Sequence, residues 1–258
     1  MTGASDLVRF DVDDEIATIT LDSQHNRNAL SRQLVAELDA AIDAAESAHA
    51  RAIVLTHEGP AFCAGADLKE RASDDPADRD GSPFVRVMTR LMDTERPTIA
   101  AVNGAVRAGG IGLMASCDLV VVHESVSFAL TEVRIGVAAA MISVPILRRV
   151  QASRLTAALL TGEAFDADEA RSVGLVTHVS ADVGGTVDEL CHGIRCGAMH
   201  AVAETKAILR LVPTLDRDVA FERMTELSNK LFAGPDAIEG MAAFREKRRP
   251  SWHPDGPA

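Results

Sequence analysis

The residues best suited to chemistry in this chain are one glutamate, Glu132, and the backbone of two glycine-rich turns that precede it. Ala52-Ile53-Val54-Leu55-Thr56 runs through Gly59-Pro60 into Ala61-Phe62-Cys63-Ala64-Gly65-Ala66-Asp67-Leu68. Thr98-Ile99-Ala100-Ala101-Val102 runs through Asn103-Gly104 into Ala108-Gly109-Gly110-Ile111-Gly112-Leu113. Each stretch reads as apolar strand, tight turn and helix start. N–H groups at a helix start lack a partner inside the helix, and the helix dipole adds positive potential there. One such turn binds an anion. Two that face each other hold a single oxygen from both sides, which makes an oxyanion hole. Glycine also serves simply to permit tight turns, so it is the pair, rather than either turn, that points to function.

Glu132 is surrounded in sequence by Phe128, Leu130, Val133, Ile135 and Val137. Desolvation by such neighbours raises a carboxyl pKa toward the working pH of a general acid–base. The plainer reading is a helix-start carboxylate set against the dipole. Asp118 and Glu124 are the nearest other carboxylates, and Asp118 reads as a turn or cap residue.

Positioning these groups takes alternating strands and helices. The chain opens as a hairpin, Leu7–Val12 and Ile16–Leu21, joined at Asp13-Asp14. Ser31 caps a helix with Leu34, Leu38 and Ile42 on one face, ending near Ser47. Strand Ala52–Thr56 follows. Lys69–Pro83 is polar, charged and broken by proline. It reads as a mobile loop, either a substrate cover or a solvated insertion. Helix Phe84–Met92, strand Thr98–Val102, helix Gly110–Cys117 and strand Leu119–Val122 continue the pattern. Strand–helix units at roughly 45-residue spacing imply an α/β core with helices outside. From His200 onward the pattern is helical: Phe221, Met224, Leu227 and Leu231 recur at helical spacing, and Ala237–Arg248 forms another helix. Such a terminal stripe is core or a subunit contact. The expected division is a core at 1–198 and a helical region at 199–258.

The chain has 258 residues, 47% of them hydrophobic, enough for a sizeable core. Aromatics are 3% with no Tyr, so Ala, Val, Leu and Ile must build that core. A net charge of −12 argues against nucleic acid or an anionic membrane as partner, since both reward basic surface. A phosphate-bearing ligand must therefore be met by local arginines. Cys63, Cys117, Cys191 and Cys196 form no Cys-x-x-Cys pair and read as reduced thiols of a cytoplasmic protein. Cys191, His192, Cys196 and His200 could face one side of a helix, but ordinary helix residues are the preferred reading and no metal is expected. Met1–Asp6 lacks the basic and apolar regions of a signal peptide. Asn103, Arg107, Asp118 and several glycines interrupt Ile99–Val122, so no membrane span is expected.

Seven segments in register resemble the crotonase superfamily, the enoyl-CoA hydratase/isomerase family, over nearly the whole chain. They are Asn28-Ala29-Leu30; Ala61–Leu68; Ala101-Val102-Asn103-Gly104 with Ala108-Gly109-Gly110; Cys117-Asp118-Leu119; Phe128 with Glu132-Val133-Arg134-Ile135-Gly136; Leu160-Thr161-Gly162-Glu163 with Gly174-Leu175-Val176; and Ala243–Arg248. The resemblance implies a spiral of ββα repeats with a C-terminal helical region that makes homotrimers, often paired into hexamers. It implies an acyl-CoA thioester as ligand, with no cofactor besides the coenzyme A of the substrate. The N–H groups of Ala66 and Gly109 would hold the thioester oxygen, and Glu132 would be the acid–base. Arg27 and Ala29 match positions beside the CoA phosphates and adenine. Ala64, Asp67 and Leu68 match the rest of the first turn, and Thr131 lies beside Glu132. Phe244 and Lys247 match a terminal pair that closes over the adenine from a neighbouring region. Arg107 is unusual in a small, apolar turn; it reaches the ligand or points to solvent.

Hydratases of this family resemble one another in using two glutamates. In register, Gly112 stands where the first belongs and Glu132 where the second does. Hydration needs water activated at C3 and a proton delivered at C2, work that two carboxylates share. Moving a double bond from the 3,4 to the 2,3 position needs one. The expected reaction is therefore isomerisation of a 3-enoyl-CoA to a 2-enoyl-CoA. The alternatives are hydration of a 2-enoyl-CoA in fatty-acid or branched-acid degradation and a weakly active CoA-thioester binder. Val137-Ala138-Ala139-Ala140-Met141-Ile142, where hydratases look like Pro-Gly-x-Gly-Gly-Thr, suggests a narrower, more apolar acyl pocket.

Overall fold

The structure, a computed structural model, describes residues 6–73 and 80–256. It comprises two compact units: Met1–Thr94 with Thr98–Val187, and Glu95–Pro97 with Asp188–Ala258.

The first unit contains two sheets. In the larger, the antiparallel hairpin of β1 (Val8–Asp13) and β2 (Ile16–Leu21) is extended in parallel by β3 (Ala52–His57). The smaller sheet begins with β4 (Ala61–Cys63). The chain then alternates between them: β5 (Thr98–Val102) and β7 (Leu119–His123) join the large sheet, β6 (Ala105–Arg107) and β8 (Ser127–Ala129) the small one. β9 (Ala164–Asp166) closes the small sheet antiparallel to β8, and β10 (His178–Ser180) the large one parallel to β7. Helices follow each strand pair, which makes a spiral of ββα turns. Parallel strands covered on both faces read as continuous apolar runs rather than alternating ones, and β5 and the middle of β7 are buried throughout.

Helix α1 (Arg32–Ser47) starts where its cap predicts, with the Leu34 N–H donating to Ser31 Oγ at 3.2 Å. Its Leu34, Leu38 and Ile42 are fully buried. Helices α2 (Leu68–Ser73) and α3 (Ser82–Asp93) occupy both ends of the stretch expected to be a loop. That expectation is corrected for Lys69–Ser73 and Ser82-Pro83; residues 74–79 lie outside the described residues. Pro83 sits in the first turn of α3, where its missing N–H costs nothing. The hairpin turn also differs from expectation. Asp13 pairs with Ile16, and Asp14 and Glu15 make the turn at φ 51° and 63°. The left-handed conformation at both central positions matches the twist of the flanking strands.

Successive turns of the spiral stack closely. A Cβ on Gly104 would lie 2.6 Å from the Pro60 carbonyl oxygen, so the second corner admits only glycine against the first. The corner is tied by His57, whose Nε2 accepts the Asn103 N–H at 3.0 Å while its ring meets Phe62 edge-on. Burial lowers the His57 pKa from its ordinary 6.5. The unfolded chain therefore binds a proton there that the native chain resists, and this contribution to stability is complete above pH 6.5 and lost as pH falls through the lowered native value. Thermal melts should show Tm decreasing from pH 7.5 to pH 5.5, with a shallower decrease in His57→Gln.

Helices α4 (Gly109–Ala115), α5 (Ala140–Arg149), α6 (Ala152–Thr161) and α7 (Ala167–Ser172) complete the first unit. After α8 (Val183–Arg195), the second unit continues as α9 (Met199–Leu211), α10 (Arg217–Phe232) and α11 (Pro235–Glu246). No residue of α10 is buried, and Phe221 and Phe232 are 71% and 66% exposed. Its apolar stripe is thus not core of this chain. Among the described residues, no helix is long and apolar enough to cross a membrane.

Candidate active site

The three parallel strands of the small sheet release the expected site residues at the same edge. Ala61 pairs with Ala105 and Cys63 with Val106; Val106 then pairs with Phe128 and Arg107 with Ala129. Past these pairs come Gly65-Ala66, Gly109, and Leu130-Thr131-Glu132, on strands about 4.8 Å apart.

The two glycine turns touch. Gly65 has φ +90°, and a Cβ there would lie 2.9 Å from Ala108 Cβ and 3.5 Å from the Gly109 nitrogen. A Cβ on Gly109 would lie 3.8 Å from the Ala66 nitrogen. Leu30 bridges the first turn: its N–H donates to Gly65 O at 2.8 Å, and Asp67 N–H donates to its carbonyl at 3.5 Å. Ala66 is an exposed residue, and its N–H is left out of that bridge. Gly109 is the first residue of α4, so its N–H has no acceptor within the helix. Among the described residues, neither N–H donates a hydrogen bond. Ala108 holds the second turn at φ 48°, ψ −119°, a conformation costly for alanine, while its N–H donates to Ala129 O at 2.9 Å.

A buried amide anchors the first turn. Asn28, at φ 55°, accepts the Ser23 N–H at 2.7 Å, and its Nδ2 donates to Glu58 O and Ala61 O at 3.1 and 2.9 Å. Gly110 seats α4 on β4, since a Cβ there would lie 2.7 Å from Cys63 Cβ.

Glu132 opens a short 3-10 turn, Glu132–Ile135. It is half-buried; its Oε2 is buried without a hydrogen-bond partner among the described residues, and burial raises its carboxyl pKa above the ordinary 4.5. Phe128 and Leu130 are buried as expected, but Val133, Ile135 and Val137 are 39%, 57% and 53% exposed. The expectation that they enclose Glu132 within this chain is corrected: the turn ends on left-handed Gly136 and carries them outward.

At Gly112 a side chain has no room. A Cβ would lie 2.5 Å from Ile142 Cβ and 3.2 Å from its Cα, where α4 crosses α5. The missing first glutamate is thus built into the packing. Gly112→Ala is expected to lower stability by about 1–3 kcal/mol through overpacking, measured by urea unfolding.

Arg107 folds along its own sheet, donating to Val106 O at 2.9 Å, Ser127 O at 2.6 Å and Ser127 Oγ at 2.9 Å. Asp118 ties β5 to β7 by accepting the Thr98 N–H and hydroxyl at 2.7 and 3.0 Å. Arg27 is exposed in a left-handed conformation, and its carbonyl accepts the Ala64 N–H at 3.0 Å; Ala29 beside it is buried. Asp67 spends both oxygens locally: Oδ2 accepts from Asn26 Nδ2 at 3.0 Å, and Oδ1 caps α2 through the Lys69 and Glu70 N–H groups. These bonds, led by that to Glu70, lower its pKa. Leu68 is 57% exposed, and Thr131 half-buried. Phe244 and Lys247 belong to the second unit; Phe244 is 86% exposed, and Lys247 caps α11 at φ 56°. Among the described residues, no three His, Cys, Asp or Glu side chains are grouped to hold a metal ion.

Sequence reasoning missed the anchoring by Asn28 and the strained Ala108. An asparagine before two apolar residues was the available signal for the first; nothing in an alanine announces the second.

Two glycine turns touch at the ends of neighbouring strands, and a half-buried carboxyl follows the next strand, on a spiral of ββα turns. The enoyl-CoA hydratase/isomerase pattern matches residues 11–255. The chain belongs to this family, the crotonase superfamily, and is an enzyme of it. It is 37% identical to a Thermus thermophilus relative, over 91% of this chain and 96% of that one. A probable enoyl-CoA hydratase of Rhizobium meliloti is 35% identical over 91% and 93% of the two chains. The crystal structure of an enoyl-CoA hydratase from Mycobacterium smegmatis superposes with a TM-score of 0.90 at 33% identity, covering 96% of this chain and 99% of that one.

Proposed function

We propose that this enzyme moves the double bond of a 3-enoyl-CoA to the 2,3 position, with Glu132 as single acid–base. The observation that carries this reading is Gly112: where a hydratase would place a second carboxylate, Ile142 fills the space. The thioester oxygen sits between the Ala66 and Gly109 N–H groups. The Glu132 carboxylate removes a C2 proton, and the C–H electrons pass toward the carbonyl, leaving a dienolate whose oxygen charge the two N–H groups bind. Glu132, now protonated, returns its proton at C4, and the electrons settle as the 2,3 double bond. Stabilisation is selective for the transition state because the oxygen carries full charge only during reaction.

Arg27 and Ala29 flank the phosphate and adenine end of the CoA; Ala64, Asp67 and Leu68 shape the entrance, and Thr131 supports Glu132. Phe244 and Lys247 close over the adenine from a neighbouring protomer of a homotrimer or dimer of trimers. The unburied stripe of α10 supports such an assembly. The acidic balance and the bacterial relatives favour a cytoplasmic enzyme without nucleic-acid or membrane partners. Hydration is the rival reading, supported by the names of the relatives.

The test is to incubate the protein with a 3-enoyl-CoA and identify the product by mass and ultraviolet absorbance. Gain of the conjugated enoyl chromophore at unchanged mass supports isomerisation. No conversion across chain lengths, with CoA-thioester binding retained, would leave a binder and refute the reading.

A further inference from the structure

Remote in sequence from Glu132 and both turns, the second unit contains a thiol between two imidazoles. His192, near the end of α8, places Nε2 3.6 Å from Cys196 Sγ. His253, from the tail after α11, places its Nε2 3.5 Å from the same sulfur. The tail is held there by specific bonds: Trp252 Nε1 donates to Cys196 O at 3.1 Å, and Arg249 pairs with Asp255 at 3.3 Å. The two imidazoles are not equivalent. His253 Nδ1 accepts the Asp255 N–H at 3.2 Å and lies 3.8 Å from the Asp255 carboxylate; with the N–H bond made, the neutral ring carries its proton on Nε2, which faces the sulfur as a donor. His192 is exposed, and its Nε2 is the acceptor for the thiol proton. Cys196 is half-buried, whereas Cys63, Cys117 and Cys191 are buried.

A base on one side of a thiol and a donor on the other is the arrangement that activates a cysteine as nucleophile. We propose that Cys196 is a peroxide-reactive modification site, oxidised to the sulfenic acid by a hydroperoxide. In the step, His192 takes the thiol proton and the sulfur attacks one peroxide oxygen. The S–O bond forms as the O–O bond breaks. The sulfur is oxidised by two electrons, the peroxide is reduced, and the departing hydroxide (alkoxide, for an organic hydroperoxide) takes the proton from His192 as water or the alcohol. The product Cys196 sulfenic acid retains the His253 Nε2–H as hydrogen-bond donor. Burial pushes the Cys191 thiol up to about 11, so this cysteine, the nearest in sequence, is a poor partner for converting the sulfenic acid to a disulfide. The modification is therefore expected to persist as sulfenic acid until an external thiol reduces it.

The experiment exposes the full-length protein to hydrogen peroxide with a sulfenic-acid-trapping dione, and measures labelling of each cysteine by peptide mass spectrometry, native and in urea. Cys196 is expected to label at least tenfold faster in the native protein than in the unfolded chain, an advantage that exposure cannot produce, since unfolding exposes every thiol. His192→Gln, on an exposed helix face, and His253→Asn should each remove most of that advantage while native circular dichroism is retained. Native labelling no faster than in urea, or an advantage that survives His192→Gln in the folded protein, would overturn the assignment.

Discussion

Glu132→Gln is expected to lower turnover on the order of 10²–10⁴-fold, the range for losing a general acid–base. Gln keeps the size and hydrogen-bonding capacity of the side chain and loses only proton transfer, so affinity for an acyl-CoA should change little. Stability gives an independent readout. A carboxyl whose pKa is raised by burial makes the ionised native state less favourable above the unfolded pKa, and among the described residues Oε2 has no hydrogen-bond partner to offset this. The Gln variant should therefore melt at the same temperature as the parent or higher, whereas a structural glutamate would be missed. The kcat/KM profile of the parent should rise with pH through an acid limb above the ordinary 4.5. Near-native turnover in the folded variant would refute the role.

Gly109→Pro is expected to lower the rate on the order of 10²–10³-fold by deleting one oxyanion donor. Proline is tolerated at the first position of a helix, which is where Gly109 stands. Two side effects need control. A new Cβ would press on Leu30 Cδ1 at 2.7 Å, and proline restricts the preceding Ala108, already at φ 48°. Gly109→Ala carries the same Cβ and keeps the N–H. Rates compared between the two variants, each corrected for folded fraction by circular dichroism, isolate the donor. Equal rates would exclude Gly109 from the hole.

Much of the geometry of this candidate site was legible in the chain because backbone turns carry it. Turns that must bring N–H groups together need glycine at Gly65, Gly104 and Gly109, and those glycines stand out between apolar strands. Ser31 and the Leu34, Leu38 and Ile42 face set α1 with no help from distant contacts. Other features depend on tertiary context that a single sequence does not carry. Lys69–Ser73 is helical because Asp67 caps it, an interaction hidden in a run of charges. The hairpin turns at Asp14-Glu15 because register, not turn propensity, decides between adjacent acidic residues. Arg107 showed two readings until its bonds to Ser127 were known. The exposure of Val133, Ile135 and Val137 follows from a left-handed Gly136 that periodicity does not register.

The central claim is that one carboxylate suffices here and water is not added. It is tested most directly by incubating the protein with a 2-enoyl-CoA in water enriched in oxygen-18, alongside isomerisation of a 3-enoyl-CoA under the same conditions. A single-carboxylate site with Ile142 packed on Gly112 predicts rapid double-bond migration and negligible label in 3-hydroxyacyl-CoA. Incorporation of the label at a rate matching or exceeding isomerisation would contradict the account, because Glu132 would then be activating water without a second acid.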